Sequence, residues 1–385
     1  MDEKKMRVTI AGVFEELADA LATGSYGKKI RVGLTILGSE HGAGELVAGA
    51  QLAVKQSPEL EVTLIGKGVA GSFELVEAED EREAHARMDE LLLSGYLDAA
   101  VAMHYPFPIG VSTVGRVITP VKGREMFLAT TTGTSATERV TALLHNTLLG
   151  VAAAKACGRE EPTVGILNID GARQLERVLR KLKEQGYPLA FAESARSDRG
   201  VVMRGNDLLM GVPDVMVMDS LTGNVLVKLL SAYSGGGNYE TAGFGYGPGV
   251  GERFNRIICI ISRTSGAPVI AGAIRYAAEC AKGRIMKFVR EEYGAAKRAG
   301  WNELIASLAA DTGKKADEDI APPPKKMVSE DIPGIEVMEI EEAVRVLWKE
   351  KIYAESGMGC TGPVIMIAPQ DKERALQLLR ENEYL

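Results

Sequence analysis

The sequence predicts an α/β protein with a largely parallel sheet, because short apolar runs alternate with longer amphipathic segments along most of the chain. A strand over residues 31–38 is followed by a helix over 45–56 and a second strand over 60–66. Aromatic residues make up only 5% of the chain, which suits helices packed closely on a sheet. At 385 residues the chain exceeds the size at which one core usually stops growing, so two lobes or more are expected.

The same alternation continues as far as residue 293. A helix over 80–95 leads into a strand over 97–103, and residues 105–134, with three prolines and many Val and Thr, then interrupt the rhythm. We expect a short antiparallel excursion at that point. The remaining predicted elements are a helix over 137–157, a strand over 163–168, a helix over 172–186, strands over 214–219 and 256–262, and one long helix over 268–293.

Four segments are expected along the chain. Residues 1–29 form an N-terminal amphipathic helix, and residues 30–310 form the α/β domain. Residues 311–334 form a charged linker with three consecutive prolines. Residues 335–385 form a C-terminal module that carries Cys360. Its helix, strand and helix are too small to fold alone, so the module is expected to dock on the main domain.

Composition excludes several classes of protein. The net charge of -7, without a basic cluster, argues against nucleic acid as a partner. No uncharged apolar stretch of about 20 residues is present, and the N terminus does not resemble a signal peptide, so a cytoplasmic protein without a membrane partner is expected. The four cysteines contain no CxxC pair, which excludes a zinc ribbon or a thioredoxin-type motif and predicts free thiols.

Cys360 is a candidate nucleophile because glycines surround it. It lies in the string GMGCTG, which predicts a loop with Gly357, Gly359, Thr361 and Gly362 around the thiol. Glycines permit positive-φ turns whose amide N–H groups point into one concavity, where they would stabilise a thiolate or an oxyanion. The alternative interpretation is a turn that happens to contain a cysteine.

A first candidate anion site follows the first strand. Glu40 and His41 stand beside Gly42 and Gly44 where a helix begins, and a helix N-terminus approached through glycines binds anions. The spacing is not that of a dinucleotide-binding fingerprint. His41 is equally a candidate for a capping or surface histidine.

A second candidate anion site follows the strand over 214–219. Asp219 ends that strand, and Thr222, Gly223 and Asn224 are expected to form a turn before a helix that opens at Val225. Ligands of open α/β sheets bind at the carboxyl ends of strands, so the amides of Gly223 and Asn224 are expected to face a phosphate. An ordinary N-cap turn explains the same residues, because Asp, Thr and Asn all cap helices well.

Two further loops are candidates for the same region. Residues 235–251 contain eight glycines, which predicts a mobile lid beside the second anion site or, alternatively, a flexible insertion. The string TTTGT over 130–134 is either a phosphate loop or a helix cap.

Three strings resemble the phosphate acyltransferases that make acyl phosphates. They are LTILGSEHGAGELVAGAQLAV over 34–54, RGNDLLMGVPDVMVMD over 204–219 and SLTGNVLVK over 220–228. The resemblance covers roughly residues 30–310 and implies a two-lobed α/β/α fold of the isocitrate-dehydrogenase and phosphotransacetylase type. Ser39-Glu40 and Ser220-Leu221 stand where that family commonly has Gly-Asp and Gly-Phe, which argues against a long-chain acyl substrate without excluding phosphate.

The string GMGCTGPVIMIA resembles the tail of the component C alpha subunits of the glycine, sarcosine and betaine reductases. That resemblance implies that Cys360 carries an acetyl group as a thioester and that inorganic phosphate, the co-substrate, takes it as acetyl phosphate. His41 is then a candidate proton shuttle. Glu40, Asp219, Thr222, Gly223 and Asn224 are candidate phosphate-binding residues.

No metal site and no tightly bound cofactor are expected, although the sequence does not reveal whether a metal is required. The same resemblance implies a beta subunit and selenoprotein A as partners, and an oligomer. Two alternatives stay open on the sequence alone. One is a stand-alone phosphate acyltransferase that uses acyl-carrier-protein or coenzyme A thioesters, and the other is a non-catalytic scaffold subunit.

Overall fold

The structure of the protein is a computed structural model that describes most of the chain. The described residues are Phe14, Leu17, Ala18, Leu21, 29–68, 71–196, 199–237, 239–316, 320–333, 335, 340–359, 362–382, 384 and 385. The chain divides into two compact units, Met1–Ile305 and Ala306–Leu385.

The first unit contains a twelve-stranded sheet and most of the helices. The strands are β1 (Ile30–Thr35), β2 (Leu60–Gly66), β3 (Glu74–Glu77), β4 (Ala99–Ala102), β5 (Val111–Ile118), β6 (Glu125–Thr134), β7 (Thr163–Leu167), β8 (Ala190–Phe191), β9 (Val202–Met203), β10 (Val215–Val217), β11 (Gly247–Val250) and β12 (Ile258–Ile260). The helices are α1 (Ala43–Gln56), α2 (Glu81–Leu93), α3 (Arg139–Ala156), α4 (Ala172–Glu184), α5 (Gly205–Met210), α6 (Ser220–Ala232), α7 (Ala267–Lys282), α8 (Ile285–Arg298) and α9 (Trp301–Ala316), the last of which continues into the second unit.

The sheet consists of two parallel halves joined by antiparallel strands. Its order is β3-β2-β1-β4-β12-β11-β5-β6-β10-β7-β8, and β9 also pairs with β7. Strands β1 to β4 and β12 are parallel to one another, as are β6 to β10. Between the halves, β11 is antiparallel to both β12 and β5, and β5 is antiparallel to β6. The predicted α/β fold with a largely parallel sheet is confirmed, as is the antiparallel excursion.

Helix α3 packs along the second half of the sheet and is buried along most of its length. At Gly150 the helix approaches β6 and β10 so closely that a Cβ atom would lie 2.7 Å from Ala129 Cβ and 2.6 Å from Val215 Cγ1. A residue without a side chain is therefore required at this crossing. The predicted helix over 137–157 matches α3 closely.

The predicted long helix over 268–293 is wrong, because the chain forms two helices there. Helix α7 ends at Lys282, and α8 begins at Ile285. Gly283 packs against the carbonyl group of Ala156, at the end of α3, and Arg284 has a left-handed backbone with φ of 54°. A continuous helix would need a right-handed backbone at Arg284, so the contact with α3 coincides with a break that apolar periodicity does not reveal.

The second unit has its own sheet and its own core. It contains β13 (Glu330–Pro333), α10 (Ile340–Lys349), β14 (Ala354–Gly359), β15 (Gly362–Ile367) and α11 (Lys372–Glu381), with sheet order β13-β15-β14. Twelve buried residues form a cluster: Ile332, Ile335, Ile340, Ala343, Val344, Leu347, Ile352, Ala354, Ile365, Ile367, Ala375 and Leu379. This is a larger module than the expected helix, strand and helix.

The domain boundaries also differ from the prediction. The division lies between Ile305 and Ala306, whereas residues 310 and 311 were the expected junction. The expected linker over 311–334 starts inside α9 and ends with β13. Most of the expected helix over 1–29 lies outside the described residues.

Candidate functional site

A cavity of about 580 Å³, here called cavity A, lies where β4, β6 and β12 end. It is lined by Met103, His104, Tyr105, Pro106, Phe107, Thr132, Gly133, Asn224, Tyr246, Ile260, Ile261, Ser262 and Arg263. Its wall is therefore largely apolar and aromatic, with a few polar groups, as in many small-molecule sites. The carboxyl ends of β4 and β12 supply several of these residues, which is where open α/β sheets bind ligands.

A second cavity of about 430 Å³, here called cavity B, is rich in hydroxyl groups. It is lined by Thr130, Gly133, Thr134, Ser135, Ala136, Thr137, Arg139, Ala142, Leu143, Asn146, Asp219, Ser220, Leu221 and Thr222. Gly133 lines both cavities, so they meet at the end of β6. The TTTGT string thus belongs to the same site as the start of α6.

Helix α6 begins earlier than the sequence suggested. Asp219 is its N-cap, and its carboxylate accepts hydrogen bonds from Thr222 N at 2.9 Å and from Thr222 Oγ1 at 2.7 Å. Gly223 N already donates to Asp219 O at 3.0 Å. The expected turn at Thr222, Gly223 and Asn224 is wrong, because all three residues lie inside the helix. The amides of Gly223 and Asn224 therefore do not face a ligand.

The predicted phosphate-binding residues separate into three positions. Asp219 and Thr222 line cavity B, and Asn224 lines cavity A. Gly223 is buried, and a Cβ atom there would clash with the carbonyl oxygen of Thr130 on β6. Gly223 thus serves the packing of α6 on the sheet.

Glu40 and His41 lie in the loop after β1. The amide of Glu40 donates to the carbonyl of Arg263 at 2.9 Å, which joins this loop to the one after β12. The ring of His41 packs edge-on against Tyr239, with 5.2 Å between centroids. Neither residue is among those that line cavity A or cavity B. The proton-shuttle and phosphate-binding roles of this pair stay predictions.

Cys360 and Thr361 lie outside the described residues. The residues that flank them form two paired strands, since β14 and β15 are antiparallel up to Gly359 and Gly362. Gly357 lies inside β14, and its φ is outside the left-handed range. The expected loop of positive-φ glycines is therefore wrong at Gly357. At Gly359 and Gly362 the chain is likewise strand and not loop.

The predicted lid over 235–251 is also wrong where the structure describes it. Its second half forms β11, which is buried between β12 and β5. Its first half is held by Glu240, a fully buried residue whose N donates to Thr264 O at 3.0 Å. The glycines serve close packing here: at Gly247 a Cβ atom would clash with the carbonyl of Val114.

A polar network borders cavity A beneath His104 and Tyr105. The Tyr105 hydroxyl donates to the Asp89 carboxylate at 2.9 Å, and Arg256 pairs with the same carboxylate at 2.6 Å. Burial, and then the bond to Asp89, raises the pKa of Tyr105 to about 12. Burial, followed by the nearby His104, lowers the pKa of His85. Tyr105 therefore stays protonated at ordinary pH and donates a hydrogen bond to Asp89.

The chain is similar over nearly its whole length to a protein of known family. The alpha subunit of component C of the glycine/sarcosine/betaine reductase complex of Peptoclostridium acidaminophilum is 54% identical over 373 residues, which cover 97% of both chains. The chain belongs to this component C alpha family. The family resemblance expected from GMGCTGPVIMIA is thus confirmed.

More distant relatives match part of the chain. The family model described as "Fatty acid synthesis protein" matches residues 30–366. A phosphate acyltransferase of Thermotoga petrophila is 26% identical over 52% of this chain and 68% of its own length, and one of Bacillus cytotoxicus is 27% identical over 52% and 71%. The solved structure of a branched-chain phosphotransacylase from Enterococcus faecalis V583 covers 66% of this chain and 99% of its own, at 16% identity and a TM-score of 0.49. The chain also belongs to the family of that model, which matches more than half of its residues.

Within the described ranges the chain has neither a membrane-spanning helix nor a cluster of metal ligands. No helix there is both long and apolar enough to cross a membrane. No group of three or more His, Cys, Asp and Glu side chains there is arranged to hold a metal ion. Cys157, Cys259 and Cys280 are free thiols, and the last two are buried.

Sequence reasoning missed part of cavity A. His104, Ser262 and Arg263 follow the ends of β4 and β12, and the rule that ligands bind there points to them once the strands are recognised. Lys228 ends the string SLTGNVLVK, but nothing in the sequence pointed to its partner Glu240. Glu240 stands in a polar, glycine-rich string, and its complete burial is visible only in the folded chain.

Proposed function

We propose that the chain carries an acetyl group as a thioester on Cys360 and transfers it to inorganic phosphate, giving acetyl phosphate. The observation that carries the proposal is the junction of cavities A and B at Gly133, in a chain of the component C alpha family. An acyl group and a phosphate need adjacent sites, and Gly133 lines both of these cavities.

Cavity B is the proposed phosphate site. The amides of Ser220 and Leu221 lie in the first turn of α6, before the intrahelical hydrogen bond that Gly223 N donates to Asp219 O. They are therefore at the positive end of the helix dipole. Hydroxyl groups of Thr134 and Ser135 line the same space. Helix N-termini and hydroxyls are common phosphate ligands. This placement replaces the amides of Gly223 and Asn224.

Arg139 supplies positive charge to cavity B. It pairs with Asp170 at 2.6 Å, and its side chain is about half exposed. Its fixed charge attracts a phosphate dianion, and its guanidinium group offers two parallel donors. Asp219 faces the same cavity, but its carboxylate is engaged by Thr222.

Cavity A is the proposed site of the acetyl thioester. Its aromatic and aliphatic residues offer apolar contacts to an acyl group, and Asn224 offers an amide to the carbonyl oxygen.

The transfer itself is a displacement at the acyl carbon. A phosphate oxygen attacks the carbonyl carbon, the C–O bond forms and the C–S bond breaks, and the Cys360 thiolate leaves with the bonding pair. A thiolate is both a good nucleophile and a good leaving group, which suits a covalent carrier. Holding phosphate beside the thioester supplies the orientation that the reaction needs.

The proposed partners follow from the same family. The close relative is named as the alpha subunit of component C of a reductase complex. We propose that this chain likewise works with a beta subunit and with selenoprotein A, which delivers the two-carbon group, in the cytoplasm.

The test is acetylation of the purified chain by acetyl phosphate, followed by peptide mass mapping. We expect an acetyl group on the Cys360 peptide that hydroxylamine removes and that Cys360→Ala lacks. Cys157→Ala is the matched control, because Cys157 is the free cysteine among the described ones that is partly exposed, and this variant should be labelled as the wild type is.

Other outcomes identify the alternatives. Exchange of phosphate with acetyl phosphate that requires added coenzyme A or acyl-carrier protein as the acyl acceptor, without any label on Cys360, would indicate a direct acyltransferase and would refute the carrier role. Neither label nor exchange, with the beta subunit also present, would indicate a scaffold subunit.

A further inference from the structure

Glu240 is a fully buried carboxylate with an unusual number of polar partners. It is 0% exposed, and it accepts hydrogen bonds from Ser262 Oγ at 2.8 Å, Ser265 Oγ at 2.6 Å and Tyr246 Oη at 3.3 Å. The ammonium group of Lys228 pairs with it at 2.9 Å. The carboxylate is thus held in a single position by groups from three segments of the chain.

The ammonium group of Lys228 contacts the lining of cavity A at Ser262, although Lys228 is not itself among the lining residues. Its Nζ is 3.3 Å from Ser262 Oγ, which lines the cavity, and it also bonds to Thr264 Oγ1. Lys228 stands one helical turn after Asn224, another lining residue, and therefore shares its side of α6. Its side chain remains 44% exposed.

This ion pair is a poor device for stability. Burying a carboxylate carries a large desolvation cost, and apolar replacements of buried pairs are often as stable as the pair itself. Four partners at this carboxylate fix the direction of the ammonium group beside a cavity. Such preorganised charge is what stabilises a developing oxyanion.

Building on the proposed function, we infer that Lys228 stabilises the negative charge that forms on the acyl carbonyl oxygen in cavity A, and that Glu240 is its positioning residue. When phosphate attacks, the carbonyl π electrons move onto oxygen, which accepts a hydrogen bond from the ammonium group. They return as the C–S bond breaks and the thiolate leaves. The ammonium group keeps its protons throughout.

The hydrogen-bond partners of Lys228 allow its ammonium group to bind the oxyanion. Two of its three hydrogen bonds go to the neutral hydroxyl groups of Ser262 and Thr264, and the third goes to the Glu240 carboxylate. An anionic oxygen is a stronger acceptor than a hydroxyl group, so it replaces one of the two hydroxyls while the bond to Glu240 holds the group in place.

The test uses the full chain and the exchange of isotopically labelled phosphate into acetyl phosphate. We expect Lys228→Met to lower kcat by roughly 10²- to 10³-fold, the usual effect of removing one oxyanion donor, with a much smaller change in the KM for phosphate. Lys297→Met is the matched control, because Lys297 pairs with Glu252 at similar exposure and lines neither cavity. It should exchange as the wild type does.

Two further measurements separate an electrostatic role from a structural one. Small primary amines such as ethylamine should restore part of the activity of Lys228→Ala, because they supply the missing ammonium group. Glu240→Gln keeps the shape of the side chain, and it should lower kcat. Its thermal midpoint should fall less than that of Lys228→Met, which leaves the buried Glu240 carboxylate without its charged partner. Where Lys228→Met does not fold, Lys228→Ala with amine gives the same comparison.

The inference fails if wild type and Lys228→Met exchange phosphate at equal rates, or if a slow, folded Lys228→Ala is not rescued by any amine. An effect on the KM for phosphate alone would also overturn it, since it would assign Lys228 to phosphate binding. A wild-type chain that neither exchanges nor accepts label on Cys360 refutes the proposed function instead, so the two failures are distinguishable.

Discussion

At Gly223 the absence of a side chain lets helix α6 lie directly against the backbone of β6. A Cβ atom would meet the carbonyl oxygen and carbon of Thr130, which cannot move without displacing the strand. The same contact places Asp219 and Thr222 in cavity B and Asn224 in cavity A. One glycine therefore positions both halves of the proposed site.

We predict that Gly223→Ala lowers the free energy of unfolding by about 1–3 kcal/mol, the usual cost of overpacking, and lowers phosphate exchange as well. Gly294→Ala is the control, since the nearest atom to its added Cβ is Arg298 Nη1 at 3.5 Å, and in mid-helix it should not destabilise. Urea denaturation of both variants measures the difference. Equal midpoints for both would contradict the tight contact at Gly223.

Among the elements, Asp214 joins three neighbouring strands at the start of β10. Its carboxylate accepts bonds from Thr163 N at 2.9 Å and Thr163 Oγ1 at 2.8 Å on β7, and from Arg124 Nη2 at 2.6 Å before β6. Burial alone would raise the pKa of Asp214, but the bonds from Thr163 and Arg124 outweigh it and lower the pKa. The folded state therefore favours the charged form.

Because that pKa is lower in the folded state, the stabilisation is present above the unfolded value of about 4 and is lost as the pH falls through the folded value. We predict that Asp214→Asn costs about 1–3 kcal/mol at pH 7 and that this difference shrinks below about pH 4. Urea titrations from pH 3 to 7 measure it. The exposed Glu160→Gln serves as control, and a difference that grows on acidification would reverse the assigned sign.

At the scale of the whole molecule, the second unit contains a core of its own. Its three strands and two helices surround buried residues that include Leu347, Ile365 and Leu379. This makes it larger than the fragment that the sequence predicted, and a chain of this size with one apolar core can fold alone.

We predict that a fragment over residues 320–385 unfolds cooperatively by circular dichroism. Leu347→Ala should lower its stability by about 2–5 kcal/mol, because the side chain is fully buried. Met327→Ala removes a comparable side chain from an exposed position and should have little effect. A fragment without any cooperative transition would show instead that the module needs the first unit.

The sequence by itself determined the α/β class, the family and the order of most elements. These rest on local properties: burial of apolar residues with a period of two or 3.6, and strings such as SLTGNVLVK and GMGCTGPVIMIA. The antiparallel strands β5 and β6 were also foreseeable, since prolines and β-branched residues interrupt the helical rhythm there.

Only the tertiary structure decided which groups meet. The break between α7 and α8 coincides with a backbone contact between Gly283 and Ala156, which are distant in sequence. Because α6 starts early, Asp219 and Asn224 line different cavities. The glycine-rich string forms the buried strand β11. Glu240 is charged and looks exposed in the sequence, yet three segments enclose it. The physical reason is that close approach and desolvation depend on pairs of residues far apart in the chain, which a local pattern does not encode.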